Sequence, residues 1–597
     1  MIAPMRNPAS RWLQAFAGAL ARGDLNAVAK LFAADCYWRD LVAFTWTLRT
    51  FEGPGEIKAM LAATLAGAKP DAFALRDSKE NEAWFSFETA AGRGIGHVRL
   101  KSGNSVNGKC WTLLTTLQEL KGHEEKAGRD RDEGVTHGAQ PGRKNWLERR
   151  REEVAALGRT AQPYVVIVGG GQNGIALAAR LKRLAVPTLV IEQHERPGDS
   201  WRKRYKSLVL HDPVWYDHMP YLPFPDHWPV FSPKDKIADW LEMYTRVMEL
   251  DYWSATTCTG AKYDEAAGEW QVEVQRNGRP LTLRPKHLVL ATGMSGFPSM
   301  PLLPGAETFA GRMVHSSKHD GGEAWRGKRC VVLGANNSAH DIAADLWEHG
   351  AAEVTMVQRS PAVVVTSEAL REHAWGRLYS EAAVEAGITT DIADLTTASV
   401  PYKLLPEFQR PLYETIRQRD AALYEGLDKA GFLYNFGEDG SGIHSTYLRR
   451  GAGYYIDVGA SQLIIDGRIK LKSKVEISRV NENSVTLSDG TELPADLLVC
   501  ATGYGSMNQW AAKLISQEVA DRVGRCWGIG SDTRYDPGPW VGELRNMWKP
   551  TQQPGLWFQG GNLMQARHYS LYLALQLKAR MEGISTPVYY IDPVHHP

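Results

Sequence analysis

The sequence has no C-x-x-C pair. Its six cysteines, Cys36, Cys110, Cys258, Cys330, Cys500 and Cys526, lie scattered along 597 residues. That spacing signals neither a zinc site nor a redox dithiol, so no metal is expected, and the thiols read as free groups in a reducing cytoplasm. No run of about 18 apolar residues occurs, so no membrane-spanning helix is expected. The apolar stretch Trp12 to Ala21 is short and lacks a small-residue cleavage site, and it reads as an amphipathic helix rather than a leader. Charge of either sign is not in excess: 69 Lys and Arg oppose 68 Asp and Glu. Nothing therefore steers the chain toward nucleic acid or an anionic membrane. No tandem repeat of about 20–50 residues is visible. What is present is length for about three or four domains and many aromatics, 20 Trp and 22 Tyr, which suit large apolar pockets.

Three zones follow one another. Residues 1–121 begin with helical periodicity, Trp12 to Arg22 and Leu25 to Phe32. They continue with strand-like runs at Glu82 to Thr89, His97 to Lys101 and Cys110 to Leu120. Residues 122–160 are dense in charge and glycine, as in Lys126-Ala-Gly-Arg-Asp-Arg-Asp-Glu-Gly134, and read as a linker with a helix over Asn145 to Leu157. From Tyr164 the pattern becomes strand, Gly-rich turn, helix, strand, which predicts an α/β architecture of two Rossmann-like dinucleotide-binding domains after a small α+β domain. The boundaries drawn are 161–325 for the first part of one nucleotide domain, 326–480 for the second domain, and 481–597 for the remainder of the first. In this last part a hairpin is expected at Ser488-Asp-Gly490, followed by an apolar strand, Leu497 to Cys500.

Val165-Val-Ile-Val168 leads into Gly169-Gly-Gly171-Gln-Asn-Gly174 and then a helix. The glycines of G-x-G-x-x-G permit a tight turn, close approach of the backbone to a pyrophosphate, and close packing of helix on strand. The next strand, Thr188-Leu-Val-Ile191, ends at Glu192, an acid able to accept hydrogen bonds from a ribose. A second unit starts at Arg329-Cys-Val-Val-Leu333, with the turn Gly334-Ala-Asn-Asn-Ser-Ala339 and a helix from His340. Asn336 and Ala339 replace two glycines. Asn tolerates left-handed backbone, Ala is small, and Ser338 can hydrogen-bond a phosphate. The strand that follows ends in Gln358-Arg359-Ser360 rather than an acid. A guanidinium pairs with a 2′-phosphate that a carboxylate would repel, so NADPH is expected over NADH.

Two nucleotide sites on one chain imply hydride transfer from nicotinamide to a flavin, here FAD. The arrangement resembles the flavin-containing monooxygenase family over roughly residues 160–580. The carrying segments, besides the two turns, are Phe309-x-Gly311-x-x-x-His315-x-x-x-His319, with His319 where the family has an aromatic residue, and Leu290-Ala-Thr-Gly293. Cys500-Ala-Thr-Gly-Tyr504 and Gly198-Asp-Ser-Trp201-Arg202 complete the set. The resemblance implies that reduced flavin forms a C4a-hydroperoxide that inserts one atom of O2 into a small organic substrate at nitrogen, sulfur or a carbonyl carbon, while NADP⁺ shields it. Residues 1–121 resemble the NTF2-like or SnoaL-like cone through the helical start, Leu31 to Asp40 and Phe51-Glu-Gly-Pro-Gly55. Such cones enclose an apolar pocket, in which Asp40 reads as a capping or solvated acid before a pocket acid. This domain is expected to assist homo-oligomer formation or cover the substrate entrance.

Gly169, Gly171, Gly174, Glu192 and Trp201 are expected to hold FAD, and Gly334, Asn336, Ser338 and Arg359 to hold NADPH. Candidates for the chemistry are Asp212, in the stretch Leu208 to Asp212, His315, and Asn562. Asn562 ends a Gly-rich turn before a helix from about Gln565, whose N-terminus would face the flavin. Alternatives are a Baeyer–Villiger monooxygenase, an NADPH oxidase or flavin reductase without oxygen insertion, and a flavin-bearing redox sensor. Indole-pyruvate-oxidising plant-type enzymes are one expected relative.

Overall fold

The computed structural model describes residues 7–101, 108–529 and 542–595. Its two central layers are five-stranded parallel sheets. The first has the order Leu556–Phe558, His287–Leu290, Val165–Val168, Thr188–Ile191, Tyr252–Trp253. The second runs Arg312–His315, Leu497–Cys500, Arg329–Leu333, Glu353–Gln358, Lys470–Ser473. The inner strands are continuous Val, Ile and Leu runs because both faces are covered: Val165, Val166, Ile167, Leu288 and Val332 are all 0% exposed. Two strands lie across the boundaries drawn from the sequence. Arg312–His315 and Leu497–Cys500 both belong to the second sheet. Parallel strands are joined by long crossovers, so neighbours in a sheet come from remote segments. The hairpin around Ser488 forms as expected, with Ser484–Leu487 antiparallel to Glu492–Pro494.

Both sheets end their key strands in the same device. Gly169 has φ +107°, and a Cβ there would lie 2.5 Å from the carbonyl oxygen of Ala291. Gly334 has φ +132°, and its Cβ would lie 2.6 Å from the carbonyl oxygen of Ala501. Each A-T-G segment therefore packs on the first glycine of a turn, a contact only glycine permits. Asn336 is different from the expectation. Its backbone is extended, φ −103° and ψ −174°, so no left-handed tolerance is needed there. The helix begins at Asn337, not His340, and runs to Glu348. Ala339 is fully buried, so that position has room for one methyl group.

The N-terminal part places helices Pro8–Ala21, Leu25–Lys30 and Gly53–Ala68 against one six-stranded sheet. In sheet order its strands are Leu48–Glu52, Phe32–Leu41, Cys110–Leu120, Gly92–Leu100, Glu82–Glu88 and Asp71–Ser78. An aromatic cluster lies inside, where an apolar pocket is expected. Trp12 stacks on Phe16 at 4.7 Å, and Phe32, Trp38, Phe44 and Phe73 continue the same aromatic cluster. Rings packed in this way, stacked or edge to face, fill much of the interior between helices and sheet. Asp40 is buried and accepts hydrogen bonds from Phe44 N and Thr45 N, both 3.0 Å, and from the hydroxyls of Thr45 at 2.7 Å and Thr115 at 2.6 Å. It caps a turn and is not solvated. The linker helix Trp146–Ala156 forms where expected, with Asn145 and Glu148 making a capping box.

Candidate active site

A cavity of about 760 Å³ runs between the two parallel sheets. Gly169, Gly171, Glu192 and Trp201 line one end and Ser338 another, and Asp212 and Asn562 also face it. Gly174, Gly334, Asn336, His315 and Arg359 are not among its lining residues.

At the first turn, Gly171 is the N-cap of helix Gln172–Arg183 and offers no side-chain cap. The amides of the first helical turn have no intrahelical partner and are left for a ligand. Gly171 itself has φ −77° and ψ −171°, a conformation open to any residue, and a Cβ there would meet only Ser200 Oγ, at 3.3 Å. No backbone atom of the protein demands glycine at 171, and the residue lines the cavity. Gly174 is demanded by the protein, because its Cβ would lie 2.0 Å from the carbonyl oxygen of Gly169. Glu192, nearly buried, accepts from Gly170 N at 2.8 Å and His194 N at 2.9 Å. These bonds aim the carboxylate and leave lone pairs for ribose hydroxyls. Trp201 Nε1 donates to Gln172 Oε1 at 3.1 Å, which ties its ring to the same helix start.

The second helix, Asn337–Glu348, also begins without a side-chain cap. Ser338 faces the cavity from its first turn. Asn337 Oδ1 accepts from Ile456 N at 2.8 Å. Arg359 stands beyond the end of Glu353–Gln358 with its side chain 71% exposed, 3.7 Å from the exposed Glu476. An exposed pair of this kind contributes little and leaves the guanidinium available.

Asp212 is half-buried, and burial pushes its carboxyl up to about 6, against a lowering by neighbouring His211. His211 is raised in turn: burial lowers it, and Asp341, 3.6 Å from Nε2, more than offsets that. Tyr205 donates to the same Asp341 at 2.7 Å. Asp341 belongs to the second helix and His211 to the first nucleotide unit, so this group joins the two. Asn562 caps helix Leu563–Met581, accepting from Gln565 N at 3.0 Å, and its Nδ2 donates to Tyr216 Oη at 3.2 Å. The helix starts two residues earlier than expected, which brings its N-terminus to the cavity edge.

His315 has both ring nitrogens engaged by protein groups: Ser317 Oγ at 2.9 Å and Ser317 N at 3.2 Å on Nδ1, and the Gly503 carbonyl at 3.0 Å on Nε2. It brackets the connecting strand to the second A-T-G segment. His319 faces buried Asp345 of the second helix at 3.5 Å. That contact gives the departure from an aromatic residue a physical partner.

Sequence reasoning missed several lining residues. Lys203, Arg204, Lys318 and Lys513 give the cavity cationic walls, and Tyr447 and Tyr454 give it aromatic ones. The run Trp201-Arg-Lys-Arg-Tyr205 carried a readable signal for the first two. The tyrosines arrive from a distant segment and carried none.

The profile described as pyridine nucleotide-disulphide oxidoreductase matches residues 166–405. Indole-3-pyruvate monooxygenase YUCCA1 of Oryza sativa subsp. japonica is 30% identical over 371 residues, which are 60% of this chain and 82% of that protein. Probable indole-3-pyruvate monooxygenase YUCCA9 of Arabidopsis thaliana is 29% identical over 345 residues, 57% of this chain and 75% of that one. In fold, the chain is similar to the crystal structure of OTEMO in complex with FAD and NADP. The TM-score is 0.50 at 17% identity, covering 71% of this chain and 86% of that one.

Proposed function

This chain belongs to the flavin-containing monooxygenase family, and from that premise we propose that its cavity would hold FAD and NADPH and oxygenate a small organic molecule, with Asp212 and Asn562 on its wall. The enzyme is FAD-dependent, oxidises NADPH and inserts one atom of O2 into its substrate. The observation that carries the reading of the site is that two uncapped helix starts, Gly171-Gln172 and Asn336-Asn337, serve one cavity. Each presents free amides and a positive dipole end to a pyrophosphate.

Glu192 receives the FAD ribose hydroxyls, and Gly171 lets the backbone approach the phosphates. Ser338 takes a phosphate of NADPH, and Arg359 swings from the surface onto its 2′-phosphate. When bound and reduced, the flavin supplies the oxygen-activating chemistry. The protein's part is to orient, to exclude water and to hold protons. Asp212, with a carboxyl near 6, exchanges a proton at neutral pH, and neighbouring His211 favours its charged form. The N-terminus of Leu563–Met581, fixed by Asn562, favours negative charge forming in the cavity. Residues 8–120 are read as a cone of NTF2/SnoaL type on the basis of three helices against one six-stranded sheet. Free, mostly buried cysteines support a reducing, cytoplasmic setting.

The test is to follow NADPH, O2 and peroxide together while amines, thioethers, ketones and 2-oxo acids are offered in turn. At least one class is expected to speed NADPH oxidation while peroxide falls well below NADPH consumed. Peroxide equal to NADPH for every class would make the protein an oxidase. An ester or lactone from a ketone would assign the Baeyer–Villiger branch.

A further inference from the structure

The N-terminal domain has an aromatic cluster inside, yet its outer face is bound into the rest of the protein by an unusual buried charge. Arg39, on strand Phe32–Leu41, is 0% exposed. Its Nε and Nη2 pair with the Glu543 carboxylate at 2.5 and 2.9 Å, and Nη2 also donates to Tyr569 Oη at 2.8 Å. Nη1 donates to the Ala398 carbonyl at 2.7 Å, and the guanidinium lies over the Tyr402 ring, 4.4 Å from its centre. A second arginine of the same domain, Arg99, donates to the Ser399 carbonyl at 2.9 Å and Ser399 Oγ at 2.7 Å. Two guanidiniums thus close the C-terminal end of one helix, Thr390–Ala398, where orphan carbonyls and the negative dipole end favour cations.

That helix is linked to the cavity indirectly, through Arg567 and the segment that starts at Asp212. Its Asp394 takes a bidentate pair from Arg567 at 2.8 Å for both contacts and a hydrogen bond from Tyr379 at 2.9 Å. Arg567 Nη1 also donates to the carbonyls of Tyr216 and His218. Tyr216 in turn accepts from Asn562, and the segment leading into it begins at Asp212. The helix belongs to the second nucleotide unit, between strands Glu353–Gln358 and Lys470–Ser473, whereas Leu563–Met581 packs on helix Gln172–Arg183 of the first. Arg39 touches both units at once, through Ala398 on one side and Tyr569 on the other.

We propose that the N-terminal domain braces the oxygenating cavity, with Arg39 and Arg99 as positioning residues that hold Thr390–Ala398 and, through Asp394 and Arg567, keep in place the segment 212–218, which enters the cavity wall at Asp212. Packed elements of two units slide or rotate unless something holds both. Loosening this wall admits water, and water is what an oxygenating site must exclude. Coupling of NADPH to oxygen insertion then depends on a domain that lines none of the cavity.

The experiment uses the full chain loaded with FAD, in two variants: Arg99→Gln, and Arg39→Met combined with Glu543→Met. The double change replaces a buried ion pair by apolar groups, which avoids stranding a charge. Amide hydrogen exchange and peroxide yield are read side by side; the second readout rests on the monooxygenase reading, the first does not. Exchange over 391–400 is expected to quicken about tenfold in either variant while Val165–Val168 stays unchanged. Peroxide per NADPH is expected to rise about threefold with KM for NADPH unaltered. Wild-type exchange and wild-type peroxide in a folded double variant would overturn the brace. If the double variant does not fold, Arg99→Gln decides by the same readings. A wild-type protein that oxygenates nothing would refute the proposed function, and the exchange result would still decide the brace.

Discussion

Gly171 and Gly174 stand three residues apart and are glycine for different reasons. The first has ordinary backbone and only the Ser200 side chain near its missing Cβ; the second abuts the Gly169 carbonyl at 2.0 Å. Gly171→Ala is expected to keep the fold and its melting temperature without cofactor, and to weaken FAD binding about tenfold or more, because the methyl group occupies the phosphate's approach. Gly174→Ala is expected to cost about 1–3 kcal/mol of stability through overpacking. Flavin titration and thermal melts of the two variants check this, and a Gly171→Ala protein that keeps wild-type FAD affinity refutes the assignment. Asp212 makes a pH-dependent prediction. Its folded carboxyl, near 6, lies above the ordinary value of about 3.9. The folded state therefore holds this proton more tightly than the unfolded chain does. The group's stabilising contribution is complete below about pH 4 and is lost as pH rises through about 6. Asp212→Asn should gain about 1–2 kcal/mol relative to wild type between pH 4 and pH 8, after allowance for partial exposure. Urea midpoints that run parallel across that range would contradict it.

At the scale of elements, the helix starts that meet the cavity differ in their capping. Helices Trp146–Ala156 and Leu563–Met581 each have an Asn N-cap in a capping box, while Gln172–Arg183 and Asn337–Glu348 start bare at the cavity. Asn562 does both jobs, since its side chain caps the helix and reaches Tyr216. Asn562→Ala should lose about 0.5–2 kcal/mol in chemical denaturation, and Asn562→Asp should recover most of it as an equally good cap. Equal stability of all three proteins would show that the box contributes nothing.

At the scale of the whole molecule, the linker at 122–145 meets either side only through exposed or partly exposed pairs such as Arg93–Glu124 and His123–Glu582, and the N-terminal domain is attached more firmly elsewhere. Beyond Arg39, buried Lys549 pairs with Asp592 at 2.7 Å and donates to the Leu48 carbonyl, and Tyr589 N donates to the Thr45 carbonyl. Among the described residues no helix is long and apolar enough to cross a membrane. A protease nick within 122–145 is therefore expected to leave one particle on size exclusion, with both fragments and the FAD eluting together. Release of the N-terminal fragment without denaturant would show that the linker was its main tether.

The α/β layers, the two turns, Glu192 and the helix start near Asn562 were legible in the sequence because their causes are local. Strand runs, glycines and caps act over a few residues, and their physics is written in consecutive letters. The strand exchange at Arg312–His315 and Leu497–Cys500 and the bracketing of His315 by Gly503 depend on residues more than a hundred positions apart. Tertiary structure alone decided that the aromatic residues of the N-terminal domain cluster inside it and that Arg39 meets Glu543. A buried charge is tolerable only beside its partner, and no pattern along one strand shows which distant carboxylate that will be. Family, cofactors and reaction type were thus carried by short motifs. Which side chains wall the cavity, and what holds that wall, was decided by packing.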